Sequence, residues 1–185
     1  MRQIWNSCAI MALAGATLSG VVLAQNPATT ATSDPISKEV QGSYARVKAN
    51  IQKSADKVPA EDYSYKPTPD IRTFARVLNH VTEAQSRVCG AINGTKPADP
   101  PAETADKATI VAALNASFAE CDKAYSGLTD ANMTEMFQLQ FGSGPAVKRS
   151  RIGLLWGNSS HDTEQYATLA LYMRLKGLTP PSSEK

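Results

Sequence analysis

The chain has 185 residues, 19 of them Lys or Arg and 17 Asp or Glu, for a formal net charge of +2. That balance offers no basic field of the kind a phosphate backbone demands, which excludes nucleic-acid binding. The length supports one domain with a real core and not two.

The N-terminus reads as an export signal. Arg2 is the only charge before Asp34, the run from Ala9 to Leu23 is apolar or small throughout, and Val22-Leu23-Ala24 ends in the small residue a signal peptidase accepts. Residues 1–24 are therefore expected to be a cleaved signal peptide, delivering the product to the periplasm or the outside with no membrane segment left on it. An uncleaved anchor would need about 20 strongly apolar residues, and Gly15, Thr17, Ser19 and Gly20 dilute this run. Cys8 precedes the apolar run, so it is not a lipid-attachment cysteine. Only Cys89 and Cys121 survive processing, and an even count in an exported chain favours a disulfide over two buried thiols.

Residues 25–35 lack apolar periodicity and are expected to be a flexible leader. From Ile36 the positions Val40, Tyr44, Val47, Ile51, Ala55 and Val58 recur at intervals of three and four, the spacing of one helical face. Pro59 ends that first helix, and the proline-rich stretch 60–69 connects it to the second. Thr68 is a candidate cap there, with Pro69 at the first helical position. The second helix turns Phe74, Val77, Leu78, Val81, Ala84, Val88 and Ile92 inward, and Gly94 with Pro97 stops it.

A third helix is predicted from about Thr104 to Ser126, with Ile110, Leu114, Phe118, Cys121 and Tyr125 in phase. Residues 129–144 show no long period and read as a loop with one short helical turn at most. A fourth helix is expected from near Pro145 to Leu175, carrying Val147, Ile152, Leu155, Leu169, Tyr172 and Met173. Gly177 and Pro180-Pro181 end it, and residues 182–185 form a disordered tail. Trp156 is expected as a core or helix-interface anchor. Four long amphipathic segments without strand-like alternation indicate an all-α four-helix bundle.

The chain has two histidines, His80 and His161, each mid-helix among apolar neighbours. On the fourth helix Asn158, His161, Asp162 and Gln165 fall close to one polar stripe, which a bundle core must satisfy with hydrogen bonds, water or a metal. From the residues alone, a hydrogen-bonded buried cluster and a metal site both stay open.

Three segments carry a family resemblance: Arg72-Thr-Phe-Ala-Arg-Val-Leu-Asn-His80-Val-Thr-Glu-Ala-Gln, His161-Asp-Thr-Glu-Gln-Tyr, and Leu171-Tyr-Met-Arg-Leu-Lys-Gly-Leu-Thr-Pro-Pro181. Together they resemble the DinB-like superfamily over most of residues 36–181. The resemblance implies an up-down-down-up four-helix bundle with a divalent metal, nickel or zinc, held near one end of the core by three histidines. One comes from the second helix and two from an H-x-x-x-H pair on the last.

Carried across, His80 and His161 match the first two ligands, and the third position falls on Gln165. An amide oxygen there is a weaker donor to zinc or nickel than an imidazole. Glu164 offers a carboxylate as a substitute ligand, and Asp162, about 100° around the helix, is expected to stand behind the ligands or face solvent. With a metal bound, Glu83 or Glu164 is a candidate base for a coordinated water. The function so implied is that of a metal-dependent hydrolase or transferase of unknown substrate. The alternative is a non-catalytic, metal-free bundle that binds a small molecule or a protein partner through the same pocket. The resemblance also allows a homodimer. Tyr166, Tyr172 and Arg174 are expected to serve packing and the helix C-terminus.

Overall fold

The computed structural model describes residues 33–185. The expected signal peptide at 1–24 and residues 25–32 of the expected leader lie outside the described residues. Four helices dominate: α1 (Pro35–Lys57), α2 (Phe74–Asn93), α3 (Lys107–Ser126) and α4 (Arg151–Leu175). Two short strands, β1 (Met136–Leu139) and β2 (Val147–Ser150), pair antiparallel between α3 and α4 with Met136 opposite Ser150. None of the described helices is long and apolar enough to cross a membrane.

Side-chain pairs fix the directions of the helices. Gln41 meets the Tyr125 carbonyl and Gln52 meets Asn115, so α1 and α3 run antiparallel. Gln85 bonds Ser117 and Asn93 bonds Glu120, so α2 and α3 run parallel. His80 meets His161 while Val88 packs with Leu154, which makes α2 and α4 antiparallel. The order is therefore up-down-down-up, as the resemblance implied.

The core follows the predicted faces. Ile51, Leu78, Val81, Ile110, Leu114, Phe118, Leu155 and Leu169 have no exposed surface, and burying such a side chain stabilises the fold by roughly 1.5–3 kcal/mol. The Tyr44 and Tyr125 rings stack at 3.7 Å between centroids. Cys89 and Cys121 form the expected disulfide between α2 and α3.

Three helix starts differ from the predicted ones, each because a nearer group takes the first-turn N–H donors. Helix α2 begins at Phe74 and not after Thr68, because Thr73 Oγ1 accepts from the Arg76 N–H at 3.1 Å. The Phe74 and Ala75 N–H groups are meanwhile held by the Tyr65 and Tyr63 carbonyls of the connection. Asp106 caps α3 through the Thr109 N–H (2.8 Å). Helix α4 begins at Arg151, since Val147–Ser150 are committed to β2 and Ser150 Oγ caps through Gly153.

Other expectations are also corrected. The stretch read as a loop holds β1, and β1 lays Leu139 against Val88 and Leu154. Trp156 is 62% exposed and anchors nothing: its neighbour Leu155 takes the inward position, and adjacent helical residues point about 100° apart. Residues 182–185 were expected to be disordered, yet the Tyr166 hydroxyl bonds the Ser182 N–H (2.9 Å) and Oγ (2.7 Å), and Lys57 pairs with Glu184 at 2.8 Å.

Candidate functional site

His80 on α2 and His161 on α4 meet across the helix interface with their Nε2 atoms 3.1 Å apart. Each ring has a carboxylate behind its other nitrogen. Glu83 Oε2 lies 3.4 Å from His80 Nδ1, and Asp162 Oδ1 lies 3.4 Å from His161 Nδ1. The spacing explains the first pair, since residues three apart on a helix are neighbours.

Glu83 is itself gripped by Arg76 through both guanidinium nitrogens at 3.0 and 3.2 Å. Burial pushes the Glu83 carboxyl up, but the bonds from Arg76 and His80 outweigh it and hold Glu83 below its ordinary range. An ionised carboxylate only accepts, so His80 carries its proton on Nδ1 and turns a lone pair outward from Nε2. Burial also lowers the His80 imidazole below its ordinary value, with Glu83 opposing. Glu83 thus orients His80, and with both its oxygens engaged it is not placed as a base.

Asp162 has no exposed surface at all. Its Oδ2 accepts from Gln85 Nε2 (3.0 Å) and, at 3.4 Å, from Asn158 Nδ2. Gln85 Oε1 in turn accepts from Ser117 Oγ at 2.6 Å. A polar chain therefore runs from α3 through α2 to the histidine on α4. Burial pushes the Asp162 carboxyl up, opposed by His161 and Gln85. When Asp162 is ionised it sets His161 as Glu83 sets His80, and two Nε2 lone pairs then face each other at 3.1 Å. Facing lone pairs repel unless a proton or a cation lies between them.

Beyond the pair opens a cleft of about 430 Å³ between α2 and α4, lined by His80, Arg87, Asn158, His161 and the hairpin residues Phe141 and Arg149 among others. Asn158 is 3% exposed; its amide donates to Tyr125 and Asp162, while its Oδ1 accepts no hydrogen bond.

Of the residues proposed from sequence, His80 and His161 come together. Gln165 follows one turn later on α4, half-buried, and its side chain makes no hydrogen bond with the described residues. Glu164 is exposed, on a face turned from the core. Asp162 stands behind His161 and does not face solvent. Among the described residues no group of three His, Cys, Asp or Glu is arranged to hold a metal. Gln85, Ser117 and Tyr125 were not read as part of the site. Gln85 did carry a signal: it falls four residues after Val81 and three before Val88, a polar residue on the apolar stripe.

An up-down-down-up bundle with two imidazoles meeting at a helix–helix cleft defines a class of four-helix bundles whose polar site is built from side chains on facing helices. The DinB superfamily model matches residues 43–169, and the chain belongs to that superfamily. Among solved structures it is similar to a DinB-like protein from Bacillus cereus, with 21% identity, a TM-score of 0.61, and 78% of this chain and 95% of that one covered. It is also similar to a conserved protein from Enterococcus faecalis, with 14% identity, a TM-score of 0.59, and 76% and 96% covered. These likenesses support the fold. Comparison with curated proteins found no match.

Proposed function

We propose that this protein is an exported metal-binding member of the superfamily, holding one zinc or nickel ion between His80 Nε2 and His161 Nε2 as a metal-dependent hydrolase or transferase. The observation that carries the reading is the pair of carboxylates behind the two rings. Metal-ligating histidines are oriented by such partners, which fix the tautomer and raise ligand basicity. The donor set suits a borderline ion, since imidazole serves zinc and nickel well. Gln165 would offer its amide oxygen as a third, weaker donor. Such an ion, when bound, would act as a Lewis acid and lower the pKa of a coordinated water toward neutrality.

Residues of the chain itself do the rest. Glu83 and Asp162 hold the imidazoles in place, and Gln85 and Asn158 hold Asp162. Export rests on residues 1–24 and agrees with the Cys89–Cys121 disulfide, a bond that persists in oxidising compartments.

The competing reading is a metal-free bundle that binds a small molecule through the same cleft. One observation favours it: among the described residues no third His, Cys, Asp or Glu joins the pair. Metal content and calorimetric titration with zinc and nickel separate the two, using protein purified from cells expressing the full chain. One ion per chain, lost in both His80→Ala and His161→Ala, is the expected result. Metal-free protein showing neither heat nor a thermal shift with either ion would sink the metal reading.

A further inference from the structure

The cleft beside the histidines is an elongated groove with chemically different ends. His80 and Arg87 are seven residues apart on α2, a distance of about 10 Å at a rise of 1.5 Å per residue. Leu154 and His161 span the same distance on antiparallel α4. One end is therefore the imidazole pair with the unsatisfied Asn158 Oδ1, and the other is the hairpin, where Arg87 and Arg149 both line the cleft. Between the ends lie Ala84 and the bare backbone of Gly157, Val88 and Leu154 form the apolar floor at the hairpin end, and Phe141 of the hairpin loop, 45% exposed, also lines the cleft.

Arg87 and Arg149 are the two arginines that line the cleft. Arg76 pairs with Glu83 and Arg151 pairs with Glu135, whereas Arg87 and Arg149 have no ion-pair partner among the described residues. No carboxylate lines the cleft. A guanidinium is always charged and its fork matches a planar or tetrahedral oxyanion, so two of them beside an apolar wall that no carboxylate lines select an anion with an apolar body.

We infer that the cleft binds an extended apolar anion, a chain of about 10 Å ending in a carboxylate or phosphate, with the anionic head on Arg87 and Arg149 and the far end at His80 and His161. The inference takes from the proposed function only what stands at the far end; the grip on the head is independent of any metal.

Calorimetry on the full-chain protein tests it, with octanoate, octyl phosphate and the uncharged octanol as probes, each in chelator and again with zinc. Octanoate or octyl phosphate should bind at least tenfold more tightly than octanol, and the stronger of the two identifies the head. The Arg87→Met/Arg149→Met variant should lose that preference while keeping its thermal melt and its zinc titration. Gly157 has nothing within 4 Å of where a Cβ would sit, so Gly157→Leu should fill the groove without a clash at its Cβ and expel all three probes. Octanol binding as tightly as the anions, no probe binding at all, or an undiminished preference in the double variant would each overturn the inference. Anion binding in a protein that takes up no zinc sinks the metal reading alone, and zinc binding without the anion preference sinks this one alone.

Discussion

The Nε2 atoms of His80 and His161 face each other across 3.1 Å, and each ring is backed at Nδ1 by a carboxylate. At zinc–nitrogen distances of about 2.0–2.1 Å this separation lets both nitrogens reach one ion. What the pair lacks is a strong third donor. Gln165 lies one helical turn beyond His161, so Gln165→His restores an imidazole at a position where residues four apart share a face. Zinc affinity should rise on the order of tenfold or more by replacing an amide oxygen with an imidazole, read by competition with a chromophoric chelator. Unchanged affinity would mean that position 165 does not face the pair.

Asp162→Asn tests the backing carboxylate. The asparagine keeps the volume and can still accept from Gln85, but its amide would point N–H donors at His161 Nδ1. That ring would then carry its proton on Nε2, where the ion should sit. Zinc affinity should fall about 10- to 100-fold, the usual effect of losing such a partner. The metal-free fold responds in the opposite direction. Asp162 has its carboxyl raised by burial, so the folded state holds a proton that the unfolded state has released. Stability due to this group is full below the unfolded value of about 3.9 and declines as pH rises from there through the folded value. Urea unfolding of metal-free protein should show the wild type losing ground to Asp162→Asn over that rise. A constant difference between them would show that Asp162 titrates as it does when unfolded.

The helices were legible in the sequence because each repeats apolar residues at three and four, and the core faces of α1, α2 and α3 emerge from that pattern. The hairpin was not. Its strands are four residues each, and only Leu139 among them is buried, so no period-two alternation is written there. The histidine pair was legible through family likeness, and its support only in part. Gln85 shows as a polar residue on an apolar stripe, but that it bonds Asp162 and Ser117 is decided by how the helices pack, which no spacing within one helix records. Trp156 misled for the opposite reason: a large aromatic suggests burial, yet an exposed one is ordinary at a single site.

The Cys89–Cys121 disulfide closes a loop with a sequence separation of 32, between the two helices that supply Gln85 and Ser117. In the chain-entropy model such a loop contributes about 3–4 kcal/mol. Reduction, or Cys89→Ala/Cys121→Ala, should lower the urea midpoint by a corresponding amount while leaving the helical circular dichroism intact at low denaturant. The same midpoint with and without reductant would show that the bond constrains nothing the fold does not already hold.

Tyr125 ties the core to α4. Its hydroxyl donates to the Leu155 carbonyl at 2.6 Å and accepts from Asn158 Nδ2 at 3.3 Å. Removing the oxygen leaves a buried carbonyl and a buried amide each short of a partner, a loss of roughly 1–3 kcal/mol. Tyr125→Phe should therefore destabilise the fold by that amount even though the ring still stacks on Tyr44. Asn158 would also lose one of the two bonds that fix its side chain beside Asp162, so zinc affinity should weaken by less than in Asp162→Asn. Urea unfolding together with zinc titration measures both effects in one variant. A fully stable Tyr125→Phe protein would show that the bonds these groups keep are enough to hold them, and a loss of zinc affinity larger than that of Asp162→Asn would show that Tyr125, and not Asp162, governs the histidine.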